Sequence, residues 1–507
     1  MNSYHSTRSR AVSCTAKEAI RTGIAPDGGL FVSDALGSEK LDVTGLAEQS
    51  YADIANSVLQ LLLPDYTSDE IAACVHEAYD GTFASAEVTP LVPLVGHKAE
   101  EGGQPFVLEL FHGPTSAFKD VALQMLPRLM ARTGSTSDTP AENIMIVTAT
   151  SGDTGKAALA GFADAPGTGI TVFYPEGKVS RVQELQMTTQ TGDNVSVCGV
   201  RGNFDDAQSA VKRIFADREL AERLAERGVV LSSANSINVG RLVPQVVYYF
   251  AAYAQLLRAG AIEAGDEVEF CVPTGNFGDV LAGYYAKLLG LPVAKLIVAS
   301  DKNNVLYDFL TTGVYDRKRP FFTTISPSMD ILISSNLERM LYYLSDGDCE
   351  LVASLMEQLA HEGRYEVPSE LLARIQEVFA CGWADEDEVR AAIGSCWRDH
   401  RYVIDPHTAC GYHVLGQVPA APAARARVLL STASPYKFPR AVAESLGLDV
   451  PADDFACMEV LAKATGTTPP VQLATLQQAA VLHDDVVDVD GMASYVEHAC
   501  HAKLGQR

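Results

Sequence analysis

The sequence predicts an α/β fold in which parallel sheets are covered on both faces by helices. Between residues 105 and 299, short apolar segments alternate with helical patterns, which is the order produced by parallel strands joined through helical crossovers. The apolar segments, such as residues 144–147 (IMIV), lack the polar alternation of a half-exposed strand. Both faces of these strands should therefore be buried.

The predicted elements begin with a separate N-terminal unit, residues 1–95. It contains a turn at 25–29, a short strand at 30–32 and helices at 51–63 and 69–79. The α/β body that follows has predicted strands at 105–110, 143–149, 169–174, 195–200, 229–231, 267–272, 294–299 and 427–432. Its predicted helices cover 121–133, 155–163 and 279–289, and another begins near residue 439.

Residues 330–400 differ because four helical patterns follow one another, at 337–344, 350–361, 369–380 and 386–399. We interpret them as a helical insertion into a large α/β domain made of residues 96–118 and 236–450. Residues 119–235 are predicted to form a smaller α/β domain. The acidic tail, residues 451–507, is predicted to pack as an appendage.

Composition limits the class of partner. The chain has 507 residues, 47% of them apolar, and a formal net charge of −25, which argues against nucleic acid or an anionic membrane. No apolar run reaches 18 residues and the N-terminus has no apolar stretch, so we expect neither a membrane span nor a signal peptide. The ten cysteines include no C-x-x-C pair, which favours a reduced, cytoplasmic protein without a zinc site.

The first motif with chemical potential is residues 111–120 (FHGPTSAFKD), where Lys119 follows a stiff loop and the aromatic Phe118. A lysine amine can condense with an aldehyde and so become a covalent catalyst. An isolated lysine is usually a solvated surface charge. The assignment of Lys119 therefore depends on the other motifs.

Two glycine-containing turns each lie between a predicted strand and a predicted helix. Residues 150–156 (TSGDTGK) bring hydroxyls and N–H groups to a helix start, which can hold a carboxylate or phosphate. Only two residues separate their glycines, so a nucleotide P-loop is excluded. Residues 273–279 (PTGNFGD) suit a phosphate cup. Each turn by itself could also be an ordinary helix cap.

Two further segments carry groups suited to anions. Residues 232–241 (SSANSINVGR) surround Arg241 with amides and hydroxyls, and arginine binds phosphate or carboxylate through two parallel hydrogen bonds. A capped helix with a surface arginine is the alternative. Residues 431–438 (STASPYKF) place hydroxyls at a strand's carboxyl end, where open α/β sheets bind ligands. Together with Lys119, these segments suit a phosphorylated aldehyde cofactor and an anionic substrate.

At these motifs the chain resembles the threonine synthases, which are pyridoxal-phosphate (PLP) enzymes of fold type II. The resemblance covers about residues 20–445 and extends to PDGGLF, YPEGKVSRVQELQM, GNFDDAQ and SPSMDILISSNLER. It implies an α/β fold of type II, with two parallel-type α/β domains and PLP in the cleft between them, in addition to the N-terminal domain and the helical insertion.

The resemblance also implies residue roles. Lys119 would bind PLP covalently beside Phe118, Thr432 would meet the pyridine nitrogen, and Asp153 would lie near the phenolic oxygen. The cofactor phosphate would be held by Gly275, Asn276, Phe277, Gly278 and Asp279. Substrate would be bound by Thr150, Ser151, Gly152 and Thr154 at its α-carboxylate, and by Arg241 with Asn235, Ser236 and Asn238 at its phosphate. The family usually has a His where this chain has Ser434, which is a departure.

The implied activity is conversion of O-phospho-L-homoserine and water into L-threonine and phosphate, with Lys119 as the base at Cα. Two alternatives stay open. One is a phospholyase or dehydratase on the same fold that yields 2-oxobutyrate, and the other is a non-catalytic relative that binds metabolites. We expect a monomer or a homodimer with no metal, nucleic-acid or membrane partner.

Overall fold

The computed structural model describes residues 3–96, 105–134, 143–150 and 152–504. The N-terminal unit is a three-stranded antiparallel sheet with three helices. Its elements are β1 (Tyr4–Ser6), β2 (Ser9–Cys14), α1 (Ala16–Thr22), β3 (Phe31–Val32), α2 (Tyr51–Leu62) and α3 (Ser68–Tyr79). Helices α2 and α3 confirm the prediction, and both begin with a capping box, at Ser50 and Thr67.

The chain then enters the α/β body, where strands and helices alternate as predicted. The elements up to residue 232 are β4 (Leu91–Pro93), β5 (Pro105–Glu109), α4 (Lys119–Ala131), β6 (Asn143–Ala149), α5 (Asp153–Phe162), β7 (Thr168–Pro175), α6 (Arg181–Thr188), β8 (Val195–Arg201), α7 (Phe204–Ala216), α8 (Arg218–Ala225) and β9 (Val229–Ser232).

The body continues through residue 445 with longer helices and three short strands. Its elements are α9 (Val239–Arg258), β10 (Glu267–Pro273), α10 (Gly278–Leu288), β11 (Val293–Ser300), α11 (Val305–Thr312), β12 (Val314–Asp316), α12 (Leu337–Leu344), α13 (Cys349–Glu362), β13 (Arg364–Glu366), α14 (Ser369–Val378), β14 (Phe379–Trp383), α15 (Glu386–His400), α16 (Pro406–Gln417), β15 (Ala424–Ser431) and α17 (Pro439–Ser445).

Two sheets organise the body. The larger has six strands in the order β14-β11-β10-β15-β5-β4, all parallel except β4, which is antiparallel to β5. The smaller has five parallel strands in the order β16-β8-β7-β6-β9, where β16 is Asp485–Asp488. In parallel sheets the carboxyl ends of the strands share one edge, so the segments that follow β5, β10 and β15 come together.

The tail is partly integral to the smaller sheet. It contains α18 (Asp454–Thr465), α19 (Val471–Ala474), β16 and α20 (Met492–Leu504). Strand β16 pairs with β8, and buried residues of α20 share a hydrophobic cluster with that sheet. The segment predicted as an appendage therefore supplies an edge strand to the five-stranded sheet.

One predicted element is wrong at its end. The helical pattern of residues 369–380 stops at Val378, and Phe379–Trp383 form strand β14, which pairs in parallel with β11. The open edge of β11 offers backbone partners to this segment, and Phe379 is buried there, so tertiary pairing overrides the local helical pattern. The region predicted as a helical insertion thus also carries an edge strand of the larger sheet.

Within the residues that the structure describes, no helix is long and apolar enough to cross a membrane. The same residues contain no group of three or more side chains arranged to hold a metal ion.

Candidate active site

The predicted lysine, Lys119, is the first residue of α4 and is almost completely buried. The loop before it is fastened to the end of β15, because Phe118 N–H donates to Thr432 O (2.8 Å) and Ser434 N–H donates to Ser116 O (3.1 Å). The centroid of the Phe118 ring lies 4.6 Å from Lys119 Nζ. Lys119 is thereby fixed at the carboxyl edge of the larger sheet.

Residues beside Lys119 stiffen the same loop. The carboxylate of Asp120 accepts hydrogen bonds from Thr115 N–H (2.8 Å) and Thr115 Oγ1 (2.6 Å). Gly113 is needed for this close turn, because a Cβ there would lie 2.5 Å from Asp120 Cβ. Gln472 Nε2 in the tail donates to Ser116 Oγ (3.0 Å) and to Gly113 O (3.1 Å). The loop is therefore held at both of its sides.

The surroundings of Lys119 favour its neutral amine. Burial lowers the pKa of Lys119 to about 8, because the ammonium loses its solvation. The carboxylates of Asp153 and Asp279 oppose this shift, and the cations of Arg241 and Lys437 add to it. In the described part of the chain, Lys119 Nζ has no hydrogen-bond or ion-pair partner. The amine is thus available as a nucleophile.

The predicted phosphate loop joins β10 to α10. Ser334 Oγ donates to Gly275 O (2.8 Å) and Asn336 N–H donates to Asn276 O (3.1 Å), so these two carbonyls are occupied. Phe277 has φ +63°, a left-handed conformation that brings Gly278 to the helix start. The N–H groups of residues 275–278 have no acceptor within the described structure. With the dipole of α10 behind them, these groups are suited to hold an anion.

Asp279 contributes to this loop differently from its neighbours. Its carboxylate faces α9, where Tyr248 OH (2.5 Å) and Tyr249 OH (3.1 Å) donate to Oδ1. Burial raises the pKa of Asp279 to about 6, although the two tyrosine hydrogen bonds and Lys119 work in the opposite direction. The side chain therefore ties α10 to α9.

The 150–154 turn leads from β6 into α5. Thr150 Oγ1 accepts from Gly152 N–H (3.0 Å) and from Gly155 N–H (3.0 Å), so its hydroxyl braces the turn. Gly152 has φ +153°, which side chains rarely adopt. Thr154 is half-buried in the first turn of α5. Ser151, also predicted here, lies outside the described residues.

Asp153 lies at the start of α5 and has three polar neighbours. Lys437 Nζ is 2.7 Å from its Oδ1, Gln183 Nε2 donates to Oδ1 (3.4 Å) and Ser328 Oγ donates to Oδ2 (3.3 Å). Burial alone would raise the pKa of Asp153, but Lys437 and then Lys119 lower it well below its usual range. Asp153 is therefore an ionised carboxylate inside the site.

Arg241 is a buried guanidinium near Lys119. Its Nη1 donates to Ala234 O (3.0 Å), while its Nε is buried without a partner. Burial lowers the pKa of Arg241 to about 10, and no carboxylate within the described residues forms a salt bridge with it. Nearby, Asn235 Oδ1 accepts from Thr148 Oγ1 (3.1 Å). A buried cation without a counter-charge points to an anionic ligand.

Two other predicted residues of the 232–241 segment, Ser236 and Asn238, contact other parts of the protein. Ser236 is half-buried, and its hydroxyl is 3.3 Å from that of Ser335. Asn238 is completely buried and caps α9: its Oδ1 accepts from Gly240 N–H (2.9 Å) and its Nδ2 donates to Ile20 O (2.9 Å). The structure gives Asn238 a structural role, because both ends of its amide already have protein partners.

The 431–438 segment provides the remaining contacts. Thr432 is buried directly after β15. Ser434 Oγ accepts from Tyr436 N–H (3.3 Å) and caps a single 3-10 turn, Pro435–Lys437. Three residues at the site were not predicted from the sequence: Lys437, Gln183 and Ser328. Gln183 and Ser328 lie in segments that carry the resemblance, and Lys437 lies in the 431–438 segment. The signal for Lys437 was a single cation in the hydroxyl-rich segment that follows β15.

The sequence was compared with family models and known proteins. A model described as "Pyridoxal-phosphate dependent enzyme" matches residues 84–432. Models described as "Threonine synthase N terminus" and "Threonine synthase, C-terminal" match residues 3–79 and 408–488. The first match defines the class, a pyridoxal-phosphate-dependent enzyme.

Individual relatives agree with this class. Human threonine synthase-like 1 is 38% identical over 91% of this chain, and the chain spans 62% of that relative's length. The threonine synthase of Eremothecium gossypii is 36% identical, with 97% of both chains covered. The solved structure of PLP-bound threonine synthase from Brucella melitensis has 37% identity and a TM-score of 0.85, covering 98% of this chain and 99% of that one. The chain belongs to the threonine synthase family.

Proposed function

We propose that this chain is a threonine synthase that converts O-phospho-L-homoserine and water into L-threonine and phosphate. The observation that carries the proposal is the position of Lys119, a buried amine that has no hydrogen-bond or ion-pair partner among the described residues and lies near two groups suited to anions. One is the loop of free N–H groups at residues 275–278, and the other is Arg241. A phosphorylated cofactor and a phosphorylated substrate would supply one anion to each.

The residues present fit pyridoxal phosphate. Lys119 would hold it covalently beside Phe118, the 275–279 loop would bind its phosphate, and Thr432 would meet its pyridine nitrogen. Asp153 would lie near its phenolic oxygen. When bound, this cofactor withdraws electrons from the substrate's Cα and so makes carbanion chemistry possible.

The other predicted residues would bind the substrate. The α-carboxylate would meet Gly152, Thr154 and Ser151 at the start of α5, where the helix dipole favours an anion, while Thr150 keeps the turn in shape. The substrate's phosphate would be held by Arg241 together with Asn235 and Ser236. The orphaned Nε of Arg241 would then gain a charge-assisted hydrogen bond.

Lys119 would also move protons. Once its Nζ is free, a pKa near 8 lets the amine accept the proton of the substrate's Cα and return a proton later at nearly neutral pH. Burial of the site excludes water from these transfers. Arg241 would stabilise the negative charge that develops on the departing phosphate.

The compartment belongs to the same proposal. All ten cysteines are free thiols and seven of them are buried, a pattern typical of a reduced cytoplasmic protein.

A product assay tests the activity. The protein, loaded with PLP and given O-phospho-L-homoserine, should release threonine and phosphate in equal amounts. Release of 2-oxobutyrate instead of threonine would identify a phospholyase or dehydratase. Binding of the cofactor without any turnover would identify a non-catalytic relative.

A further inference from the structure

Lys437 is a buried cation that none of the assigned roles explains. Its side chain has no exposed surface, and its Nζ lies 2.7 Å from Asp153 Oδ1 and donates to Thr115 O (3.0 Å). Asp153 is the first residue of α5, which lies between strands β6 and β7 of the five-stranded sheet, whereas Thr115 belongs to the loop that carries Lys119. One ammonium group therefore joins the start of α5 to the loop that carries Lys119.

Comparison of Asp153 with a second buried carboxylate, Asp279, indicates how Lys437 affects the protonation of Asp153. Asp153 and Asp279 are buried to a similar degree, 5% and 6% exposed, and both lie near Lys119. Among the described residues, Asp279 has hydrogen bonds from two tyrosines and no ion pair, and burial raises its pKa to about 6. For Asp153, the nearby ammonium of Lys437 reverses the effect of burial and lowers the pKa. The two carboxylates differ chiefly in this one contact.

The other neighbours of Asp153 lower its pKa less than Lys437 does. Gln183 and Ser328, which also contact Asp153, are neutral. The ring of His407 accepts a hydrogen bond at Nε2 from Ser328 N–H (3.1 Å), and its Nδ1 lies 2.8 Å from Asp405 Oδ1. It lowers the pKa of Asp153 less than Lys437 and Lys119 do. The remaining charged groups close to Lys437 are Lys119, Asp120 and Lys156.

We propose that Lys437 is a positioning residue that keeps Asp153 an ionised carboxylate and fastens it to the loop of Lys119. An ionised carboxylate can only accept hydrogen bonds. The ligand atom that contacts Asp153 must therefore be a hydrogen-bond donor. This inference rests on the proposed function only for its kinetic assay.

The experiment is a pH titration of the PLP-loaded Lys437→Met variant, followed by the absorbance of the bound cofactor and by kcat/KM. Without the ammonium, Asp153 should behave like Asp279 and take up a proton as the pH falls through about 6. We expect a new transition in both readouts near that pH, with kcat/KM falling about 10-fold for each pH unit below it. Asp279 titrates in the same range in the wild type and in every variant, so the wild-type curve is the baseline, and it should lack this additional transition.

Matched variants assign the transition. Lys437→Arg retains the positive charge and should therefore lack the new transition. Lys463→Met, a change at an exposed lysine of α18, should match the wild type. The double variant Asp153→Asn/Lys437→Met should also lack the transition, because the titrating carboxylate is gone. Lys437→Gln keeps a donor for Thr115 O without the charge, so it should titrate as Lys437→Met does and replaces that variant if it fails to fold.

Two results would overturn the inference. One is an unchanged pH dependence in Lys437→Met and Lys437→Gln, and the other is a new transition that persists after Asp153→Asn. A wild-type protein that binds PLP but does not turn over phosphohomoserine would refute the proposed function instead, and the absorbance titration would still test Lys437.

Discussion

Replacing Gly113 by Ala should displace Lys119 by steric contact alone. An added Cβ would lie 2.5 Å from Asp120 Cβ and 2.6 Å from Asp120 Oδ2, whereas ordinary contacts begin near 3.4 Å. Asp120 must therefore move by almost 1 Å. It cannot rotate away freely, because both of its oxygens are bonded to Thr115, and it directly follows Lys119 in the chain.

The size of the effect combines two opposing contributions to stability. Overpacking a buried site typically lowers the free energy of unfolding by about 1–3 kcal/mol, while Ala restricts the unfolded chain and returns about 0.4–1 kcal/mol. We expect a net loss of about 1–2 kcal/mol, seen as a Tm lower by a few degrees. A shift of about 1 Å in a catalytic group can reduce the rate by up to about 100-fold, so kcat/KM should fall about 10- to 100-fold.

The assay is phosphate release from O-phospho-L-homoserine together with thermal unfolding. Gly45→Ala is the matched control, because Gly45 has φ −94° and no atom within 4 Å of an added Cβ. That variant should keep its activity and lose no stability. If Gly113→Ala retained kcat/KM within about 3-fold of the wild type, the steric reasoning about the Lys119 loop would be refuted.

Three other perturbations test separate parts of the site. Arg241→Met should raise KM for O-phospho-L-homoserine about 10- to 100-fold through loss of charge-assisted hydrogen bonds, with the cofactor absorbance unchanged; an unchanged KM would remove Arg241 from the substrate site. The rate at which cofactor-free protein captures PLP can be measured by absorbance as a function of pH. It should rise with pH and reach half its maximum near pH 8, because only the neutral amine of Lys119 attacks the aldehyde. A midpoint near about 10, the usual pKa of lysine, would contradict the effect of burial. Gln472→Met should lower kcat about 3- to 10-fold, because the loop around Ser116 loses a hydrogen bond that holds it. Gln478→Met, at an exposed position of the tail, should leave kcat unchanged. Equal rates in both variants would show that Gln472 does not hold the Lys119 loop in its active position.

Much of the fold follows from local sequence pattern, since strands buried on both faces and their glycine turns are encoded within a few residues. Strands such as β6 and β10 and the turns after them lie where the pattern predicts. Strand β14 does not follow from local pattern, because it depends on the free edge of β11. Helix α9 was not predicted either: it contains β-branched residues and Pro244, which disfavour helices, and its stability comes from burial.

The candidate site, too, is predictable from local sequence only in part. Lys119 and the 275–279 loop carry their chemistry in contiguous residues, so their sequence is informative. The ion pair of Asp153 with Lys437 joins residues 284 positions apart, and no local pattern reveals such a contact. Asn238 shows the converse, because a polar residue inside a binding motif is used to cap α9 and to hold Ile20 of the N-terminal unit.

The most direct test of the central claim is to locate the covalent attachment of the cofactor. The PLP-loaded protein would be reduced with borohydride, digested, and mapped by mass spectrometry. Our account predicts one phosphopyridoxyl group on Lys119, and none in the Lys119→Ala variant. Labelling of the buried Lys437 or the half-buried Lys156 in place of Lys119 would contradict it.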